Sequence, residues 1–91
     1  MIAEIVINST ARELGKIFDY KISDEMVGTV TLGQMVTVPF GIGNKFVDGF
    51  IVGIKEKSEI KRNLKNIKAI KNDGYALQED EMKLARWIAN T

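Results

Sequence analysis

The chain has 91 residues and a mass of 10.2 kDa, enough for one small domain and too little for a second core. Hydrophobic residues make up 45% and charged residues 27%, which excludes a disordered or collagen-like chain, and no apolar run is long enough to span a membrane as a helix. The absence of cysteine and histidine excludes disulfide stapling, thiolate chemistry, the usual zinc ligands and the usual general base, and is compatible with a reducing compartment.

The net charge of +1 conceals an uneven distribution. Residues 1–54 and 72–91 each carry a net −2, whereas residues 55–71 set seven basic against two acidic side chains, a net +5. A local patch of this kind attracts phosphates even on a nearly neutral protein.

In chain order, the prevailing period is two. Ile5 and Ile7 alternate with Glu4 and Val6; Phe18, Tyr20 and Ile22 alternate with Asp19 and Lys21; Val36 and Val38 flank Thr37. The run from Phe46 to Ile54 is rich in β-branched and aromatic residues, and Ile67 to Ile70, set among lysines, fits a short half-exposed strand. Gly15, Gly28, Gly33, Gly41-Ile42-Gly43-Asn44 and Asn72-Asp73-Gly74 mark the turns between them. Gly49 and Gly53 fall inside the fourth run and point to bends or a close backbone approach. The expected fold is mostly β (α+β): a small twisted barrel of about five or six short strands in residues 1–75. Residues 76–91 then form a helix, with Glu79, Asp80 and Glu81 in its first turn and Arg86 near its end. Met82, Ala85, Ile88 and Ala89 recur at helical spacing, and Leu84 and Trp87 widen the stripe. A tryptophan this close to a terminus implies that the helix leads toward a further domain.

Enzymatic arrangements are scarce. Ser9, Thr10 and Ser23 have no activating base in view, and the carboxylates Asp24-Glu25 and Glu79-Asp80-Glu81 read as a turn and a helix start. Gly41-Ile42-Gly43 lacks the lysine and hydroxyl residue of a phosphate-binding loop. Binding chemistry has three candidate carriers. In Phe18-Asp19-Tyr20, strand alternation sends two aromatics to one face and an acid to the other; either the acid is merely solvated, or it guards a pocket, accepting from a hydroxyl and repelling phosphate. In Val38-Pro39-Phe40-Gly41 the strand ends or becomes an edge, and the glycine admits a positive φ or a ligand. The basic stretch is either ordinary solvated surface or the phosphate-holding side of a nucleic-acid site.

In order along the chain, Phe18-Asp19-Tyr20, Gly33-x-x-Val36-x-Val38-Pro39-Phe40-Gly41, Gly49-x-Ile51-Val52, Leu64-Lys65 and Leu84-Ala85-Arg86-Trp87-Ile88-Ala89 resemble the amino-terminal 3′-end DNA-binding domain of the primosomal replication-restart helicases, the primosomal protein N-prime family. The resemblance covers nearly the whole chain from about Ile5. It implies an OB-like domain that captures the free 3′-hydroxyl terminus of a nascent leading strand at a stalled fork, without base selectivity. The 3′-end-binding residues it implies are Phe18, Asp19, Tyr20, Phe40, Gly41 and Lys65, with Asp19 accepting from the 3′-hydroxyl. Lys45, Lys61, Arg62 and Lys68 are the further phosphate-contacting candidates.

The same resemblance places ATP-dependent 3′–5′ helicase activity, with its ATP, magnesium and zinc, in domains beyond this chain, leaving no cofactor and no catalysis here. It implies DNA forks with a 3′ end at the branch, primosome proteins and single-strand-binding protein as partners, a cytoplasmic, nucleoid-associated location and no membrane. The chain departs from the family pattern in lacking prolines between Asn8 and Lys16, and in placing Ile42-Gly43-Asn44 before Lys45. A general OB-type single-strand binder and a small β-barrel protein-interaction module are the alternative readings.

Overall fold

The structure is a computed structural model that describes residues 1–7, 16–57, 63–71 and 76–89. Among these residues the alternating runs form five strands: β1 (Ile2–Ile7), β2 (Ile17–Lys21), β3 (Met35–Phe40), β4 (Lys45–Lys55) and β5 (Ala69–Lys71). They make one antiparallel sheet in the order β2-β1-β4-β3-β5. The helix α1 (Glu79–Ala89) follows and packs against β4. It is not long and apolar enough to cross a membrane. The expected turn at Asn72-Asp73-Gly74 and Gly15 lie outside the described residues.

Period two explains the core. The inward residues Ala3, Ile5 and Ile7 of β1 pack with Tyr20 of β2, Val36 and Val38 of β3 and Ile51 of β4, and Ile22 and Ile67 close its margins. Five β-branched side chains, those of Ile5, Ile7, Val36, Val38 and Ile51, are wholly buried, which suits the pleated surface they line. Burial of this apolar surface is the main favourable term in a domain of this size.

The sheet is not a closed barrel, which corrects the barrel expectation. β5 spans three residues and pairs with β3 alone, from Met35 to Thr37, so no strand ladder joins β5 to β2. The gap is instead crossed by the chain leading into β5. The Lys21 N–H donates to Lys65 O, the Ile67 N–H to Lys21 O, and the Lys68 N–H to Thr37 O, at 2.9, 3.1 and 2.8 Å. Residues 65–68 thus form a strap that binds the β2 edge at one end and the β3 edge at the other.

Curvature comes from β4. Its pairing with β1 slips by one residue between Glu4 and Ile5, so β4 carries an extra residue at Val52. Such a bulge increases local twist and leaves a backbone group without its ladder partner. Arg86 of α1 supplies that partner, donating from Nη2 to Val52 O at 3.1 Å and to Glu4 Oε1 at 2.8 Å. Gly53 makes the contact sterically possible, since a side chain there would collide with the Glu4 carboxylate and the Arg86 guanidinium. The helix begins with half of a capping box, in which Glu81 Oε1 accepts from the Gln78 N–H at 3.0 Å. The Arg86 anchor leaves Met82 and Ala85 half-buried and turns Leu84, Trp87 and Ile88 outward, so the wide apolar stripe expected from the sequence is only partly used against this sheet.

Gly49 has a different reason to be glycine. A Cβ there would lie 2.6 Å from Ile5 Cγ2 and 2.9 Å from the Val6 carbonyl oxygen, and the latter belongs to the neighbouring backbone. Gly49→Ala is therefore expected to cost about 1–3 kcal/mol of stability, as overpacked cores do, read as a lowered midpoint of urea unfolding.

Candidate functional site

The strap creates a concavity of about 480 Å³ where the β2 edge, the β3–β4 turn and residues 63–65 meet. Lys16, Ile17, Phe18, Asp19, Tyr20, Phe40, Gly41, Asn63, Leu64 and Lys65 line it. All six of the expected 3′-end residues, Phe18, Asp19, Tyr20, Phe40, Gly41 and Lys65, therefore line one concavity, although three separate chain segments supply them and Asp19 borders it from the β2 edge with its side chain on the other sheet face from Phe18 and Tyr20.

Three contacts hold those segments together. Phe18 and Phe40 meet edge to face, with ring centroids 5.1 Å apart and planes at 76°. The Tyr20 hydroxyl donates to Pro39 O at 2.8 Å. Lys65 Nζ donates to Gly41 O at 3.3 Å. The second contact follows from the proline. Thr37 turns its carbonyl toward Lys68 on the β5 side, and Pro39, two residues on, turns its carbonyl the same way. β5 has ended by then, so Pro39 sits on an open edge where its missing N–H leaves no ladder bond unmade. The tyrosine hydroxyl from the opposite edge takes the place of the absent strand.

Gly41 opens the turn with φ of 73°, followed by Gly43 at 87° and Asn44 at 51°. Three left-handed residues in four make this a glycine-dependent turn. A Cβ on Gly41 would meet nothing within 4 Å, so the residue is required by its φ, and the space beside it is open.

Asp19 is not a solvated acid. Strand alternation sends its side chain away from Phe18 and Tyr20, to the face where Glu4 is its neighbour on β1. Its side chain is 9% exposed, and Oδ2 lies 3.0 Å from Lys55 Nζ. Lys55 also reaches Glu4 Oε2 at 3.5 Å. The hydrogen bond to Asp19, helped by the nearby charges of Asp19 and Glu4, holds the Lys55 ammonium above its ordinary pKa, against the opposing effect of desolvation, which is the second-largest influence. Lys55, Glu4 and Arg86 were not among the candidate site residues. Glu4 and Lys55 share a face with Asp19 only through the register of three strands, and Arg86 comes from α1, so strand periodicity alone carries no signal for them.

Of the remaining candidates, Lys45 is exposed opposite Phe40 at the start of β4. Lys68 stands with Nζ 5.7 Å from the centre of the Phe46 ring. Lys61 and Arg62 lie outside the described residues. Among the described residues no cluster of three carboxylate, histidine or cysteine side chains is placed to hold a metal ion.

A model of the PriA 3′ DNA-binding domain, 3′BD, matches residues 4–91. The chain belongs to that family. It is 29% identical over 89 residues to the replication restart protein PriA of Bacillus subtilis strain 168, a match that takes in 97% of this chain and 11% of that protein's length. The 3′BD is thus a DNA-binding module of the kind found in a replication restart protein, and the chain spans about a tenth of its relative.

Burial raises the Tyr20 hydroxyl from 10.0 to about 12, and the 3′BD needs that proton for the bond to Pro39. Between those values the unfolded chain has already lost the proton that the folded chain keeps, so stability falls as pH rises from about 10 to about 12. The raised Lys55 adds a decline of the same sign. In Tyr20→Phe the melting temperature is expected to start lower at neutral pH and to fall less steeply across that window, measured by circular dichroism.

Proposed function

We propose that this 3′BD captures the free 3′-hydroxyl end of a DNA strand in the concavity between β2, the β3–β4 turn and the strap. The observation that carries this reading is the convergence of Phe18, Asp19, Tyr20, Phe40, Gly41 and Lys65 on that one surface. The aromatic pair offers an apolar wall to a sugar or base. Lys65 and the open space beside Gly41 admit the adjoining phosphate. Asp19, at the β2 edge of the concavity, accepts from the terminal hydroxyl, and its ion pair with Lys55 holds the carboxylate in place. A 3′-phosphate has no such proton to give at neutral pH and adds charge beside an acid.

Among the described residues the lining is mostly apolar side chains and backbone, with Asn63 as its side-chain amide, which suits contact with the sugar and the face of any terminal base. In a protein of the length of the relative, the module would recognise a nascent leading-strand end at a stalled fork and present it to an ATP-dependent 3′–5′ helicase. Primosome proteins and single-strand-binding protein would attend it at the bacterial nucleoid in the cytoplasm.

The test compares one oligonucleotide carrying a 3′-hydroxyl, a 3′-hydrogen or a 3′-phosphate. A hydrogen bond to a charged group makes the hydroxyl form bind about tenfold or more tightly. Asp19→Ala should erase most of that preference while leaving Lys55 with Glu4 as a partner. Lys65→Glu should weaken all three forms and flatten the salt dependence. Equal affinity for the three ends in the unaltered protein, with 3′-recessed, 5′-recessed and blunt duplexes also alike, would instead mark a general single-strand binder.

A further inference from the structure

Phe46 is the exposed aromatic of the sheet, with 60% of its surface accessible. A lone exposed apolar side chain is ordinary in itself. Its setting is less so. Phe46 lies opposite Pro39 on the β3–β4 hairpin, and Lys45 lies opposite Phe40, so the ring stands one pair of residues behind the rim of the concavity, on the hairpin face away from Phe40. Lys68, whose backbone is fixed to Thr37 O, reaches over it from the strap at 5.7 Å. The hairpin and the strap are therefore stitched twice in succession: once by Lys65 on Gly41, at the rim, and again by Lys68 on Phe46, just outside it.

We infer that Phe46 and Lys68 form a second nucleotide-binding position, where a base a few nucleotides behind the 3′ end stacks on the Phe46 ring and its phosphate is held by Lys68. The inference rests on the proposed 3′-end pocket. An aromatic platform flanked by cations is the arrangement that holds single-stranded nucleic acid without regard to sequence, since every base offers a π face. Charge complementarity favours a polyanion over an apolar peptide here: residues 55–71 carry the net +5, Lys68 lies over the ring, and Lys65 lies at the rim. The second position extends the grip along the strand while leaving the terminal nucleotide unread.

The experiment is an abasic scan. Oligonucleotides with a 3′-hydroxyl and a single abasic residue, stepped back from the end, are titrated into the unaltered protein, Phe46→Ala and Phe46→Trp. One internal abasic position is expected to weaken binding to the unaltered protein about tenfold, to cost nothing further in Phe46→Ala, and to regain its cost in Phe46→Trp. Lys68→Gln should lower the slope of affinity against salt by about one. Phe46 is exposed, so circular dichroism should show Phe46→Ala folded and its preference for a 3′-hydroxyl over a 3′-phosphate intact. Identical abasic profiles in the unaltered protein and Phe46→Ala, or a profile with no sensitive internal position, would overturn the inference. Loss of end preference with the Phe46 coupling intact would count against the pocket alone.

Discussion

The site depends on a hydrogen bond that replaces a missing strand. Pro39 cannot donate to a ladder, and β5 stops before reaching it, so its carbonyl is left on an edge that nothing in the sheet can cover. The Tyr20 hydroxyl comes from the far edge of the same sheet to satisfy it. An unsatisfied carbonyl at a buried edge costs on the order of 1–3 kcal/mol, so the two edges are drawn together with real force. Once they are close, Phe18 can meet Phe40, and the strap needs only a few residues to pass from one edge to the other. The concavity is the space left where two edges approach without pairing.

This arrangement also explains how an open sheet avoids the hazard of exposed edges. Free strand edges invite pairing with other chains, and full closure is one remedy. Here the strap covers β2 near Lys21 and β3 near Thr37, with Lys65 and Lys68 at its two ends. The same cations that discourage edge-to-edge association give the surface its affinity for phosphate. Solubility and binding therefore draw on one feature of the sequence.

From the β2 edge of the concavity across the sheet face away from the core, charge is organised more tightly than composition reveals. Asp19, Lys55, Glu4 and Arg86 form a continuous chain of ion pairs from the β2 edge through β1 and β4 to α1. Isolated surface pairs contribute little, but these side chains are partly buried, and Arg86 also satisfies the carbonyl freed by the bulge. The first four strands, the turns at Gly28, Gly33 and Gly41-Ile42-Gly43-Asn44, the helix and the aromatic–acid–aromatic alternation of Phe18-Asp19-Tyr20 are legible because period two and helix-forming composition are local properties. The fifth strand and the closure are not: β5 spans Ala69–Lys71, and Ile67, expected within it, lies in the strap, where its N–H meets Lys21 O, a long-range contact that local patterning cannot express. Asp19 was read as solvated or as facing a pocket. Its partner Lys55 is 36 residues away, brought opposite by a one-residue slip in register that leaves no mark in the sequence beyond Gly53.

The helix shows the same limit from the other side. Its stripe of Met82, Leu84, Ala85, Trp87 and Ile88 is wider than a single sheet face can cover, and periodicity alone does not say which part turns inward. That choice falls to Arg86. A guanidinium bound to both a carboxylate and a bulge carbonyl fixes the rotation of the helix about its axis, so Met82 and Ala85 take the near side and Leu84, Trp87 and Ile88 the far side. Polar geometry at the bulge thus decides the orientation of an apolar surface. One extra residue at Val52 thus frees the carbonyl that Arg86 takes, and through Arg86 it sets the face that the helix presents outward.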